Sequence, residues 1–133
     1  MAQRSKETHA IILLFVGLLA WLIPGSGHFV IDKKKHAIII FITLLLTFCT
    51  GLYIGSIGVI DPVGAKIWYC VQLMNSPLVA VIGHFTATGA YAVYGRPGEI
   101  GQIYTFIAGL LNMLCIVNAV YWAHLKWTKT AGE

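Results

Sequence analysis

Residues 36–60 read HAIIIFITLLLTFCTGLYIGSIGVI, and this run decides the fold class. It holds no Asp, Glu, Lys or Arg over 25 residues. A helix needs about 20 apolar residues to cross a hydrocarbon layer ~30 Å thick. In lipid every backbone polar group must be satisfied inside its own element, so the run is a helix and not an open strand. Three more such runs lie around it, at 10–31, 67–95 and 100–125, with 22, 29 and 26 residues. The charged residues cluster between them. The 133-residue chain is 58% hydrophobic and 11% charged, against about 45–50% and about 25% in ordinary globular proteins. A water-soluble core of this size cannot hide that much apolar surface. A cytosolic enzyme, a nucleic-acid module and a disordered tail are therefore excluded, and the net charge of +4 suits lysine-flanked spans.

The expected fold is all-α: one domain, an integral membrane four-helix bundle with spans at about 10–31, 36–60, 67–95 and 100–125. Short connections make consecutive helices antiparallel neighbours. Asp61-Pro62 with Gly64, and Gly95-Arg96-Pro97-Gly98, supply the turns. In this arrangement Trp68, Tyr69, Tyr121, Trp122 and Trp127 belt the membrane face that both termini share. Tyr91, Tyr94 and Tyr104 belt the other.

The first span is broken at Pro24-Gly25-Ser26-Gly27, which leaves only 10–23 uninterrupted, a length that suits a re-entrant segment as well as a crossing. Four full crossings divide the Lys/Arg residues five to four between the faces. If the first segment alone turns back, the division is six to three, a positive-inside bias. The apolar continuation from Gly27 to Ile31 favours four crossings, with orientation open. The basic N-terminus followed by an apolar run imitates a signal peptide, but no small-x-small cleavage site follows, and it reads as a retained span. Cys49, Cys70 and Cys115 show no metal or redox spacing and read as buried, inert thiols.

The stretch Pro24-Gly25-Ser26-Gly27-His28-Phe29, ending at Lys33-Lys34-Lys35, resembles the glycine-rich segment of the two-transmembrane domain family. More closely, it resembles a group of small uncharacterised bacterial membrane proteins that begin Pro-Gly-x-Gly-His-Phe. Members of that group end in a block matched here by Gly98-Glu99-Ile100-Gly101, Tyr104-Thr105 and Ala108-Gly109-Leu110-Leu111-Asn112. The chain departs from the pattern after Phe29, where Val30, Ile31 and Asp32 replace Tyr-x-Gly. The resemblance implies a membrane fold and a bacterial cytoplasmic (inner) membrane, and it brings no reaction with it.

His84 lies eleven residues before Gly95, hence about 16 Å in at 1.5 Å per residue. An ionisable group at that depth is a functional candidate. One reading makes it an axial ligand to haem or chlorophyll, paired with His28. The other makes it a neutral ring in a polar rung between helices. Depth matching gives two such rungs, His84–Asn112 and Asn75–Asn118, each worth about 0.6–2 kcal/mol. Gly51-x-x-x-Gly55 on the second span, and Gly83, Ala87 and Gly89–Ala90 on the third, form small-residue ridges for close helix packing. Pro77 frees the carbonyl of Leu73 and should kink the third span.

No Asp, Glu, Lys or Arg lies inside any of the four runs, so a proton relay or ion-coupled site is not expected. No nucleophile triad, phosphate loop or dinucleotide motif occurs. The expected role is a non-catalytic accessory or scaffolding subunit that packs against other integral membrane proteins in the lipid bilayer, with no cofactor. The alternatives are a tetrapyrrole-binding subunit using His84 and His28, and a small homo-oligomeric channel built on the Gly51/Gly55 ridge.

Overall fold

A computed structural model describes residues 2–89, 91 and 95–130, and the side chains of 7–89, 91 and 95–129. Ala90 and Tyr94, named above, lie outside the described residues. The described residues form six α-helices: α1 (Ala2–Leu22), α2 (Ser26–Val30), α3 (Lys34–Gly55), α4 (Lys66–Gln72), α5 (Leu78–Thr88) and α6 (Arg96–Thr130). A 3-10 turn, Ile57–Val59, follows α3. Two stretches, Lys34–Gly55 and Arg96–Lys129, are long and apolar enough to cross a membrane.

These two helices are the frame. They pack antiparallel through glycine: a Cβ on Gly51 would meet Thr105 Cγ2 at 2.8 Å, and one on Gly55 would meet the Pro97 carbonyl oxygen at 3.0 Å. The Gly51/Gly55 ridge is therefore used inside the chain, against Gly101 and Thr105 of α6. Helix α6 starts where Gly95, with φ of 88°, turns the chain and Pro97 fits the first turn. Glu99 near its start and Lys129 near its end both suit the helix dipole.

The other two apolar runs are not through-helices. Helix α1 runs antiparallel to α6, with His9 Nε2 lying 3.1 Å from His124 Nδ1. At Pro24–Gly25 the chain reverses, and α2 folds back on α1. Ser26 Oγ donates to the Leu19 carbonyl, and Gly27 fits between Ala20 and Ala119. By Asp32 the chain has returned to the end that holds both termini, where Asp32 Oδ2 meets Lys126 Nζ at 3.3 Å. The first run is thus a helical hairpin. Gly25 makes the reversal possible: its φ is 85°, and a Cβ there would lie 2.5 Å from the Ala37 carbonyl oxygen.

The third run behaves in the same way from the opposite end. Helix α4 runs alongside α6, with Trp68 on Phe106 at 4.7 Å between ring centroids. At 73–77 the helix breaks, and α5 returns beside α4. Gly83 sits against the Tyr69 ring, and Thr86 Oγ1 donates to the carbonyl of Ile60, before α4 begins. A continuous helix would hold residues 69 and 83 about 21 Å apart at 1.5 Å per residue. The kink expected at Pro77 is a full reversal. Proline removes one ladder hydrogen bond, and the Ser76 hydroxyl, accepting from the Leu78 amide at 3.0 Å, starts a new helix in its place.

The chain therefore traces one path twice in opposite senses: hairpin α1–α2 then α3, hairpin α4–α5 then α6. Trp68 and Tyr69 consequently lie at the end away from the termini, beside Phe106, and not beside Trp122 and Trp127 as four through-helices would put them. The interior is small. Val16, Ile31, Ala119 and Ala123 pack at the terminal end, and Phe48, Val59, Ile60, Val79 and Ala108 at the other. Buried polar side chains are His28, Gln72, Asn75, Thr105 and Asn112, while Leu14, Ile39, Leu46, Val81 and Leu114 face outward. Cys49 and Cys70 are on the outer surface as well, not buried as expected. So many large apolar side chains on the outer surface is uncommon in a water-soluble domain.

Candidate functional site

The two hairpin tips meet half-way along α6, and a set of neutral polar side chains joins them. The break at 73–77 leaves the carbonyls of Leu73, Met74 and Asn75 without helical partners. Each is filled by a side chain from another helix. Trp21 Nε1 donates to the Leu73 oxygen at 2.9 Å. Asn112 Nδ2 donates to the oxygens of Met74 and Asn75, at 2.9 and 2.8 Å. One turn earlier, Gln72 Nε2 donates to Thr105 Oγ1 at 2.8 Å and to the Val59 carbonyl at 3.2 Å. Broken helices are tolerated away from water when neighbouring helices re-satisfy the freed groups, and here they do so residue by residue.

Between the tips is a cavity of about 270 Å³, lined by Leu22 and Pro24 of the first hairpin, Leu44 and Phe48 of α3, and Asn75 and Ser76 of the second. Asn75 is 6% exposed, and its Oδ1 has no hydrogen-bond partner among the described residues. The same holds for Gln72 Oε1 and Asn112 Oδ1. The junction thus has unused acceptors on three amides. Unused acceptors in an apolar interior are costly to keep dry.

The polar rungs differ from the expected pairs. Asn112 faces the second hairpin's backbone and not His84. Asn118 meets His28, with Oδ1 3.2 Å from Nε2, and not Asn75. The reason is the reversal at Pro77. It halves the depth that α5 covers and turns His84 onto the outer surface, where its ring meets Phe85 at 6.2 Å between centroids. His28 and His84 belong to different hairpins, which enter from opposite ends, and His28 is 4% exposed and engaged by Asn118. The structure does not bring the two rings together for a bis-histidine site. Within the glycine-rich motif, Pro24 and Gly25 make the tip, Gly27 is the contact of α1, α2 and α6, His28 reaches α6, and Phe29 faces outward. The sequence gives no expectation for Trp21 or Gln72, and Thr105 enters there only as part of the family block. Gln72, a lone amide one turn before Asn75 in an apolar run, was the available signal.

The profile of a family of unknown function, DUF6677, matches residues 15–130, and the chain belongs to that family. The match covers the last eight residues of α1 and everything from α2 to the end of α6. No curated protein and no solved structure matches the chain significantly.

Proposed function

We propose that this DUF6677 member is a multi-pass protein of a bacterial cytoplasmic membrane, and that it serves as a non-catalytic accessory subunit docked to a larger integral membrane protein. In this reading α3 and α6 cross the bilayer, and the hairpins α1–α2 and α4–α5 enter from opposite sides to mid-depth and return. The apolar outer surface supports the insertion. Charge supports the orientation. Arg4, Lys6, Lys33, Lys34, Lys35, Lys126 and Lys129 belong to the terminal end, and Lys66 and Arg96 to the other, seven against two. The terminal end therefore faces the cytoplasm.

The observation that carries the accessory role is His84. It lies on the outer face of α5, six residues past the tip, hence about 9 Å from mid-depth at 1.5 Å per residue and inside a hydrocarbon half-thickness of ~15 Å. Its neighbours Leu78, Val81 and Phe85 are all exposed. A polar ring facing lipid at that depth is unfavourable, and a hydrogen-bonding group on a helix of another protein relieves it. The test is purification from native membranes in mild detergent, with mass spectrometry of what arrives in stoichiometric amounts. The wild type brings a membrane protein with it, and His84→Leu releases that protein without unfolding. A wild-type chain that arrives alone removes the reading.

One observation favours a second reading. The cavity between the tips pairs apolar walls with the unpartnered amide of Asn75, which suits a small lipid-soluble molecule carrying a hydroxyl group. Native mass spectrometry of the detergent-purified chain tests it: a bound apolar molecule lost in Leu44→Trp supports it, and an empty wild-type chain ends it.

A further inference from the structure

We propose that the cytoplasmic end of the chain carries a site for the phosphate headgroup of an anionic phospholipid, formed by Lys33, Lys126 and Lys129 around Trp122. The inference rests on the membrane reading above and is independent of the docking through α5. On α6, Trp122, Leu125, Lys126 and Lys129 stand at i, i+3, i+4 and i+7, so they share one helix face. Residues Ile31 and Lys33, at the return of the first hairpin, close the other side. Together these six residues line a crevice of about 220 Å³.

The chemistry of the crevice is that of a phosphodiester at an interface. Lys33 Nζ lies 3.2 Å from the centroid of the Trp122 ring, so its charge is placed over the indole face. Lys126 is oriented by Asp32 at 3.3 Å. Lys129 stands one turn beyond Leu125. The acidic groups described at this end are Asp32, which is committed to Lys126, and Glu7 on α1. Lys34 and Lys35, exposed at the start of α3, add to the same field. Ile31 and Leu125 give the crevice an apolar floor, and Trp122 is a residue type that anchors at the headgroup level. Positive groups above an apolar floor match a molecule with an anionic head and an acyl body. A basic pocket between helices on the cytoplasmic side, where anionic lipids are enriched, is a recognised form of lipid site. A free phosphate ion would satisfy the lysines but leave Ile31 and Leu125 unused.

The test uses the full chain, purified in a non-ionic detergent and stripped of lipid. Its thermal midpoint is followed during titration with short-chain phosphatidylglycerol, with phosphatidylcholine of the same chain length, and with inorganic phosphate. Phosphatidylglycerol is expected to raise the midpoint saturably, with the other two having little effect. The double variant Lys33→Gln, Lys129→Gln, read against its own lipid-free midpoint, should bind phosphatidylglycerol roughly tenfold or more weakly. Equal response to the two lipids overturns the proposal, as does wild-type affinity in the double variant. Inorganic phosphate matching the lipid at equal concentration also overturns it, by assigning the site to a free ion. A chain that leaves the membrane without detergent refutes the membrane reading itself, and loss of a co-purifying protein in His84→Leu concerns only the docking face.

Discussion

The indole N–H of Trp21 donates to the carbonyl oxygen of Leu73 at 2.9 Å, and so ties the tip of one hairpin to the tip of the other. Fifty-two positions separate the two residues in sequence. The bond fills the carbonyl that Pro77 cannot serve, because proline has no N–H to give it. Trp21→Phe keeps most of the ring volume and removes the donor. The expected cost is about 1–2 kcal/mol, the penalty of a buried acceptor left unmade. Denaturation of the detergent-solubilised variant, compared with wild type, measures it.

Asn112 serves two carbonyls where Trp21 serves one. Asn112→Leu leaves both Met74 and Asn75 without a donor, and it should be the more damaging change, at about 2–4 kcal/mol. Asn118→Leu removes a single partner, His28, and should cost about 1 kcal/mol. Reversal of that order in the same denaturation series would mean that the second hairpin is not held by Asn112.

Two glycines with positive φ separate strain from crowding. Gly25 has φ of 85° and a carbonyl oxygen 2.5 Å from where a Cβ would sit, while Gly95 has φ of 88° and nothing within 4 Å of a Cβ among the described residues. Gly95→Ala carries only the backbone cost, about 1 kcal/mol. Gly25→Ala carries that and a clash with α3, and should destabilise by at least about 2–3 kcal/mol. The difference between the two midpoints is the readout.

Gly51 tests where the small-residue ridge points. Because Thr105 and Gly101 of the same chain occupy the space a side chain would need, Gly51→Val should lower stability by about 1–3 kcal/mol. Self-association, followed by light scattering in detergent, should not change. A stable variant that alters the oligomeric state would place the ridge on an outer interface.

How much of this was legible from the residues alone depends on what hydropathy can see. Helices α3 and α6 were plain, because 20 or more charge-free apolar residues have few other uses. The run 67–95 has the length of a span and reads as one, since hydropathy counts residues and is blind to path. Ser76-Pro77 marks the reversal, but proline is common enough inside membrane helices that a kink is the ordinary expectation. The break at Pro24–Gly27 was visible, and turning that segment alone improved the charge division to six against three. Turning both segments gives seven against two, a stronger bias than either arrangement weighed from the sequence. The expected polar rungs differ for the same reason: depth matching assumes a straight third helix, which puts His84 inside the bundle opposite Asn112. Asn112 does meet the third segment, at its broken backbone.

The two returning hairpins are the center of the proposed topology, and the direct measurement is the side on which four positions lie. On a background with Cys49, Cys70 and Cys115 replaced, single cysteines at Lys35, Lys66, Arg96 and Lys129 are treated with a membrane-impermeant maleimide in intact cells and again after permeabilisation. Residues 66 and 96 should label in intact cells, and 35 and 129 only once the membrane is opened. If 35 and 96 instead label together, with 66 and 129 on the other side, the chain crosses four times and neither hairpin exists.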